Sequence, residues 1–166
     1  MKRLAMISAL GLSLFFVACN NGDKTAETKT TETGDATTNK KNAGHDNTVA
    51  ITANDQLKFD KIEIKVNAGE KVTLTLTNIG KMPKDAMGHN FILLKDGTDL
   101  EAFEKAAIQA PDHIPTNMGD AIIAHTKLLG PGESDTIEFT VPAGDYTFIC
   151  SFPGHYKSMT GVLTAE

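Results

Sequence analysis

The chain has 166 residues, with 16 lysines and arginines against 21 aspartates and glutamates, and its formal net charge is −5. This length allows one domain plus extensions. Because there is neither a basic tract nor a positive balance, a nucleic-acid partner is not expected. The two cysteines, Cys19 and Cys150, could form a disulfide by count alone, but each has a more specific interpretation.

Residues 1–18 have the build of a secretory signal peptide. Lys2 and Arg3 precede an apolar stretch that is shorter than the ~20 apolar residues a membrane-spanning helix needs. The segment ends in Phe-Val-Ala-Cys19, which resembles a bacterial lipobox with Cys19 as the first mature residue and lipid acceptor. The alternative is an ordinary signal peptide cut nearby. We predict the lipoprotein form, since a free thiol at a secreted N-terminus is otherwise a liability.

Residues 19–47 are predicted to form a polar tether that begins at the lipidated cysteine. From Asn20 to Asn47 there is no aromatic and no β-branched aliphatic residue. Such a stretch cannot bury enough apolar surface to offset the entropy of ordering, so it is predicted to be disordered. His45 is accordingly expected to be a solvated side chain and not a ligand.

Residues 48–166 show the period-two alternation of half-buried strands, with Gly- and Pro-rich turns between them. Short strands with such turns predict an all-β fold, a Greek-key β-sandwich. The predicted strands are 48–52, 62–66, 72–76, 90–94, 122–129, 136–141, 146–150 and 161–165.

One segment interrupts the strands with a helical pattern. Thr98 and Glu101 have the spacing of a capping box, with Thr98 as the N-cap. Leu100, Phe103 and Ala107 follow at helical spacing. We predict one short helical flap that covers the side of the sandwich.

Three side chains near the C-terminus, Cys150, His155 and Met159, are soft or borderline metal donors within ten residues. One cysteine, two histidines and a long axial methionine form the ligand set of a blue-copper electron-transfer centre. The second histidine is predicted to be His89, because it lies at the start of the strand at 90–94.

Four motifs spread across residues 48–166: Asn54-Asp55-Gln56, Met87-Gly88-His89-Asn90, Ile123-Ala124-His125-Thr126-Lys127 and Cys150-x-Phe152-Pro153-Gly154-His155-x3-Met159. In these motifs the chain resembles azurin and the related auracyanins, which are small cupredoxins. The spacing between the cysteine, the histidine and the methionine resembles that of azurin, whereas the corresponding loop of plastocyanin is shorter.

The resemblance implies one type 1 copper ion per chain, with ligands at His89, Cys150, His155 and Met159. It also implies a weak approach of the Gly88 carbonyl from the opposite axial side. The backbone N–H groups of Asn90 and Phe152 are expected to donate to the Cys150 sulfur, and Asn90 is expected to tie its loop to Ser151.

By the same resemblance, the protein is expected to shuttle single electrons between redox partners outside the cytoplasm and not to be an enzyme. Electrons would pass through the exposed edge around His155, where cytochromes or copper/haem oxidoreductases dock transiently. With a lipid on Cys19, the protein would work in the periplasm or cell envelope, anchored to a bacterial membrane.

The main alternative is a periplasmic copper-buffering or copper-delivery lipoprotein that shares these ligands. Such proteins usually expose clusters of methionine and histidine, whereas here the methionines are scattered, at Met82, Met87 and Met118. A copper oxidase or nitrite reductase is disfavoured, because no histidine adjoins Cys150 to couple a second copper.

Two histidines, His113 and His125, are expected to be surface residues; for His113 the alternative is a residue at a binding edge. The structural disulfide of azurins is not expected, because Cys19 lies outside the domain and Cys150 is a predicted ligand. The chain has no tryptophan, and Phe91 stands where azurins often have a buried indole.

Overall fold

A computed structural model of the chain describes residues 44–166. The predicted signal peptide, the lipid site at Cys19 and the tether as far as residue 43 lie outside the described residues. Within residues 44–166, no helix is long and apolar enough to span a bilayer.

The described residues form two packed β-sheets with short helices on one side. One sheet has the strand order β2-β1-β4-β7 and the other the order β3-β9-β8-β5-β6. Two pairs are parallel, β1 with β4 and β3 with β9, and the other pairs are antiparallel. The strands are β1 (Thr48–Asn54), β2 (Lys58–Phe59), β3 (Glu63–Val66), β4 (Lys71–Asn78), β5 (Ile92–Leu94), β6 (Ile122–His125), β7 (Ser134–Thr140), β8 (Gly144–Ile149) and β9 (Thr160–Ala165). This arrangement confirms the predicted all-β sandwich.

The core lies between the two sheets and follows from the alternation of apolar residues. In β4, for example, Val72, Leu74 and Leu76 are fully buried while the residues between them are more exposed. Phe91 and Phe148 stack at the centre, with ring centroids 4.9 Å apart. Phe91 is thus a buried aromatic residue at the position where the resemblance places an indole.

The helices are α1 (Lys84–Met87), which was not predicted, and α2 (Leu100–Ile108), followed by 3-10 turns at Pro111–His113 and Thr116–Ala121. The predicted N-cap of α2 is wrong. Asp99, not Thr98, caps the helix, and its side chain accepts from the N–H groups of Glu101 and Ala102. Thr98 instead donates its hydroxyl to the Lys95 carbonyl at 2.7 Å. Both residue types are good N-caps, so the sequence pattern alone did not separate them.

Strand β6 is shorter than predicted and ends at His125. The chain leaves the sheet there, because the Thr126 hydroxyl turns inward and accepts from the Phe91 N–H at 3.0 Å. Leu129 then pairs with His89 in an isolated bridge, and this bridge brings the predicted ligand against the sandwich end.

His45 lies near the end of the predicted tether, and its side chain is partly exposed, although its backbone is bound to the domain. Its N–H donates to the Asn67 side chain at 2.9 Å, and Asn67 donates back to the His45 carbonyl at 2.7 Å. The His45 ring also contacts Glu166 at 2.9 Å. These bonds depend on a pairing between the two ends of the domain, which no local sequence pattern reveals.

Candidate metal centre

The three strongest predicted ligands converge at one end of the sandwich. Cys150 directly follows β8, and its N–H donates to the Met159 carbonyl at 3.0 Å. His89 precedes β5 and exchanges two backbone hydrogen bonds with Leu129, at 3.1 and 2.8 Å. His155 lies on the connection from β8 to β9. Strand ends and their backbone bonds therefore fix the positions of these side chains.

The donor atoms of the three side chains face one another. The Cys150 Sγ lies 3.8 Å from the His89 Nδ1 and 3.6 Å from the His155 Nδ1. All three donor atoms lie within 4.8 Å of one another. His89 and Cys150 are fully buried, and His155 is 4% exposed. One ion at the centre of this triangle would contact all three donors.

The loop that carries His155 is held by its own backbone. The His155 N–H donates to the Phe152 carbonyl at 3.0 Å, and the Met159 N–H donates to the His155 carbonyl at 2.9 Å. Gly154 has a φ of +82°, a conformation that side chains with a Cβ rarely adopt. Its N–H donates to Glu104 of α2 at 3.1 Å. Met159 is fully buried at the end of the loop.

Gly88 has an ordinary backbone conformation, and its role is to let segments pack closely. A Cβ at this position would lie 2.6 Å from the Lys84 carbonyl oxygen and 3.0 Å from a Leu128 side-chain carbon. A larger residue would therefore push His89 away from its place beside Leu129.

The residues beside Cys150 form a buried polar network. The Asn90 side chain donates to the Ser151 hydroxyl at 2.9 Å and accepts from the Ser151 N–H at 2.9 Å. The backbone N–H groups of Asn90 and Phe152 both act on the Cys150 sulfur to lower the pKa of the thiol. Burial is the larger effect and raises the pKa of that thiol to about 11.

Burial has the opposite effect on the two histidines, since it disfavours the imidazolium. It lowers the pKa of His155 to about 4, and the charges of His89 and His113 act in the same direction. Burial also lowers the pKa of His89, against a smaller opposing effect of the Asn54 carbonyl and Asp55. Both imidazoles are therefore neutral at neutral pH, which is the form that binds metals.

Of the two histidines expected at the surface, only His125 is exposed. His113 is half-buried, its Nδ1 lies 3.1 Å from the Ala107 carbonyl, and its own carbonyl accepts from Ser151. The expectation for His113 is wrong, because two successive left-handed residues turn it inward. No local sequence signal distinguishes that turn from an exposed loop.

The donor set fits copper. A thiolate and two neutral imidazoles suit copper, and a long thioether contact suits its axial position. The His89 Nε2 is buried and has no hydrogen-bond partner of normal geometry among the described residues. The Asn54 backbone acts on this ring and raises the pKa of His89, so its carbonyl is the candidate acceptor for the Nε2–H when Nδ1 binds a metal.

Comparison with known proteins agrees with this geometry. Residues 45–166 match the family of copper binding proteins described as the plastocyanin/azurin family. An azurin of Bordetella pertussis is 46% identical in an alignment of 122 residues that covers 69% of this chain and 81% of that protein. Azurin-1 of Alcaligenes xylosoxydans xylosoxydans is 41% identical in an alignment of 121 residues that covers 69% of this chain and 94% of that protein.

Solved structures give the same result. The dithionite-reduced auracyanin of Roseiflexus castenholzii superimposes with a TM-score of 0.66 at 38% identity, and the match covers 74% of this chain and 99% of that one. An azurin from Methylomonas sp. strain J gives a TM-score of 0.64 at 31% identity, covering 72% and 97%. With a copper-type donor set and these relatives, the chain belongs to the plastocyanin/azurin family of copper-binding proteins.

Proposed function

We propose that this protein is a type 1 copper protein that carries single electrons between redox proteins and is not an enzyme. The observation that carries the proposal is the buried triangle of His89, Cys150 and His155 donors, all within 4.8 Å of one another. Copper bound there supplies a one-electron couple, Cu(I)/Cu(II). Rigid strand-end ligands suit this couple, because both oxidation states must be held with little rearrangement.

The residues have distinct roles in this proposal. The Nδ1 atoms of His89 and His155 and the Cys150 thiolate are the strong ligands. Met159 would be a further, weak ligand, and the Gly88 carbonyl would be a still weaker one. Because axial interactions are weak, we expect Met159 to tune the potential more than to hold the metal.

Hydrogen bonds to the sulfur stabilise the electron-rich thiolate and help set the potential. The N–H groups of Asn90 and Phe152 supply them, and the bonds between Asn90 and Ser151 keep both loops in register.

Electrons enter and leave through the edge around His155. The ring of Phe152 lies against that of His155, with centroids 4.6 Å apart, and Phe152 is 9% exposed. Pro153 is half-buried and Gly154 is exposed, so the surface of this edge is formed by the loop next to His155, whose own side chain is nearly buried. Cytochromes or copper/haem oxidoreductases would dock here, and a small apolar contact suits transient association.

We place the protein in the periplasm or cell envelope, held to a bacterial membrane by a lipid on Cys19. This part of the proposal depends on the signal peptide predicted in residues 1–18 and on the polar tether predicted in residues 19–47. The last residues of that tether already belong to the copper domain, because His45 and Asn47 hydrogen-bond to Asn67. The alternative, copper buffering or delivery, would use the same ligands and differ in how readily the metal leaves.

The test is to titrate the metal-free protein with Cu(II) and record its visible and EPR spectra. We expect an intense blue band that is lost in Cys150→Ser and kept in His125→Gln, which changes an exposed histidine away from the site. A wild-type protein that stays colourless with Cu(II), or a blue band that persists in Cys150→Ser, would refute the type 1 copper site. Reversible voltammetry without metal loss supports a carrier, and rapid transfer to a chelator supports delivery.

A further inference from the structure

His113 contacts the residues beside Cys150 in two independent ways. Its backbone carbonyl accepts a hydrogen bond of 2.6 Å from the Ser151 hydroxyl. Its ring meets the ring of Phe152 edge-on, with centroids 4.9 Å apart and an interplanar angle of 75°. Ser151 and Phe152 are the two residues that directly follow the thiolate in sequence.

His113 has a backbone conformation that residues other than glycine rarely adopt. His113 has a φ of +58°, and the preceding Asp112 has a φ of +50°. Left-handed non-glycine residues cost free energy and persist where surrounding contacts fix them. One of these contacts is made by the His113 ring, whose Nδ1 lies 3.1 Å from the Ala107 carbonyl oxygen. Because a carbonyl oxygen can only accept a hydrogen bond, the Nδ1 must be the donor. The end of α2 thus holds the ring against Phe152.

The contacts continue from His113 to the metal-binding triangle. The Phe152 ring packs against the His155 ring, with centroids 4.6 Å apart, and the Phe152 N–H acts on the Cys150 sulfur to lower the pKa of the thiol. A displacement of Phe152 would therefore move two groups at the metal-binding triangle: the ring that packs against His155 and the N–H that acts on the Cys150 sulfur.

We propose that His113 is a positioning residue for the metal centre, whose carbonyl and ring together fix Ser151 and Phe152 against Cys150. The inference rests on the proposed function, because its consequence is a change in the reduction potential. A weaker N–H donor at the thiolate favours the oxidised site, so loss of the His113 ring lowers the potential.

The variant His113→Asn tests the contribution of the ring separately from that of the backbone carbonyl. Asparagine tolerates the left-handed conformation, so the carbonyl that accepts from Ser151 stays in place while the ring is lost. In the metal-free protein, the Phe152 amide should exchange hydrogen roughly two- to tenfold faster, the fold-change for losing an edge-on ring contact. The control His125→Asn removes an exposed imidazole and should leave that exchange rate unchanged.

The copper-loaded protein gives the second measurement, a double-mutant cycle read by voltammetry. His113→Asn should lower the potential, and Phe152→Leu should shift it as well. If His113 acts through Phe152, adding His113→Asn to Phe152→Leu produces no further shift. The proposal would be overturned if His113→Asn had the same amide exchange rate and the same potential as the wild type. It would also be overturned if the potential shifts of His113→Asn and Phe152→Leu added fully in the double variant. A wild-type protein that stays colourless with copper refutes the proposed function instead, and the exchange measurement still decides the role of His113.

Discussion

Copper binding should release a single proton per metal ion at neutral pH. Both imidazoles have lowered pKa values, His155 at about 4, so neither carries a proton to release at pH 7. The buried thiol of Cys150 has a pKa of about 11 and is protonated. Since the metal binds the thiolate, the released proton comes from Cys150.

The size of the effect follows from these values. From about pH 6 to about pH 8 the apparent association constant should rise about tenfold per pH unit, or roughly a hundredfold in all. At pH 7, about four units below the pKa of the Cys150 thiol, deprotonation costs about 5 kcal/mol of the intrinsic binding free energy. Below the pKa of His155, near 4, a further proton is displaced and the dependence steepens.

Calorimetric titration with copper in buffers of different ionisation enthalpy gives the number of protons released. The apparent affinity at each pH is measured by competition with a chelator, with the intensity of the blue absorption band as the measure of copper occupancy. In Cys150→Ser the proton release at pH 7 should disappear. Release of about two and a half protons at about pH 6 would show that the imidazoles keep ordinary pKa values, because each would then be about three-quarters protonated. A pH-independent affinity near neutrality would show that the thiolate exists before the metal arrives. Either result would refute the reasoning from burial.

Two stability predictions concern the metal-free protein. Lowering the pH from about 6.5 to 4 should reduce the free energy of unfolding by roughly 3 kcal/mol, because the unfolded chain protonates His155 while the folded protein keeps it neutral. In His155→Gln, the free energy of unfolding measured with denaturant should lack this part of the pH dependence. The same change of unfolding free energy with pH as in the wild type would contradict the prediction. Gly161→Ala should cost about 1–3 kcal/mol, since its Cβ would lie 2.2 Å from the Phe148 ring. Gly119→Ala, with no atom within 4 Å of its Cβ, is the matched control, and equal effects would disprove the packing argument.

Strand positions were predictable from the sequence because burial and period-two alternation share one physical cause. The segment at 72–76 is apolar at every second residue, and β4 buries those residues between the sheets. The spacing from Cys150 to His155 was informative for a different reason. A short loop at a strand end leaves few places for its side chains, so local sequence indicates the chemistry of the site.

Long-range contacts were not predictable in this way. The end of β6 depends on the Thr126 hydroxyl turning toward Phe91, which directly precedes β5 and is 35 residues away in sequence. The inward turn of His113 depends on its acceptor in α2 and on its partner Ser151, 38 residues away in sequence. Periodicity describes a single segment, so it contains no information about such pairs.

The helical flap does more than cover the sandwich side. Glu104 of α2 accepts from the Gly154 N–H, and the His113 carbonyl accepts from the Ser151 hydroxyl. These two bonds hold the part of the loop between Cys150 and His155 without requiring a metal. A loop fixed in this way brings the donors together before copper binds, which lowers the rearrangement on changing oxidation state. The same rigidity disfavours delivery, because release would require opening a site in which His89 and Cys150 are fully buried.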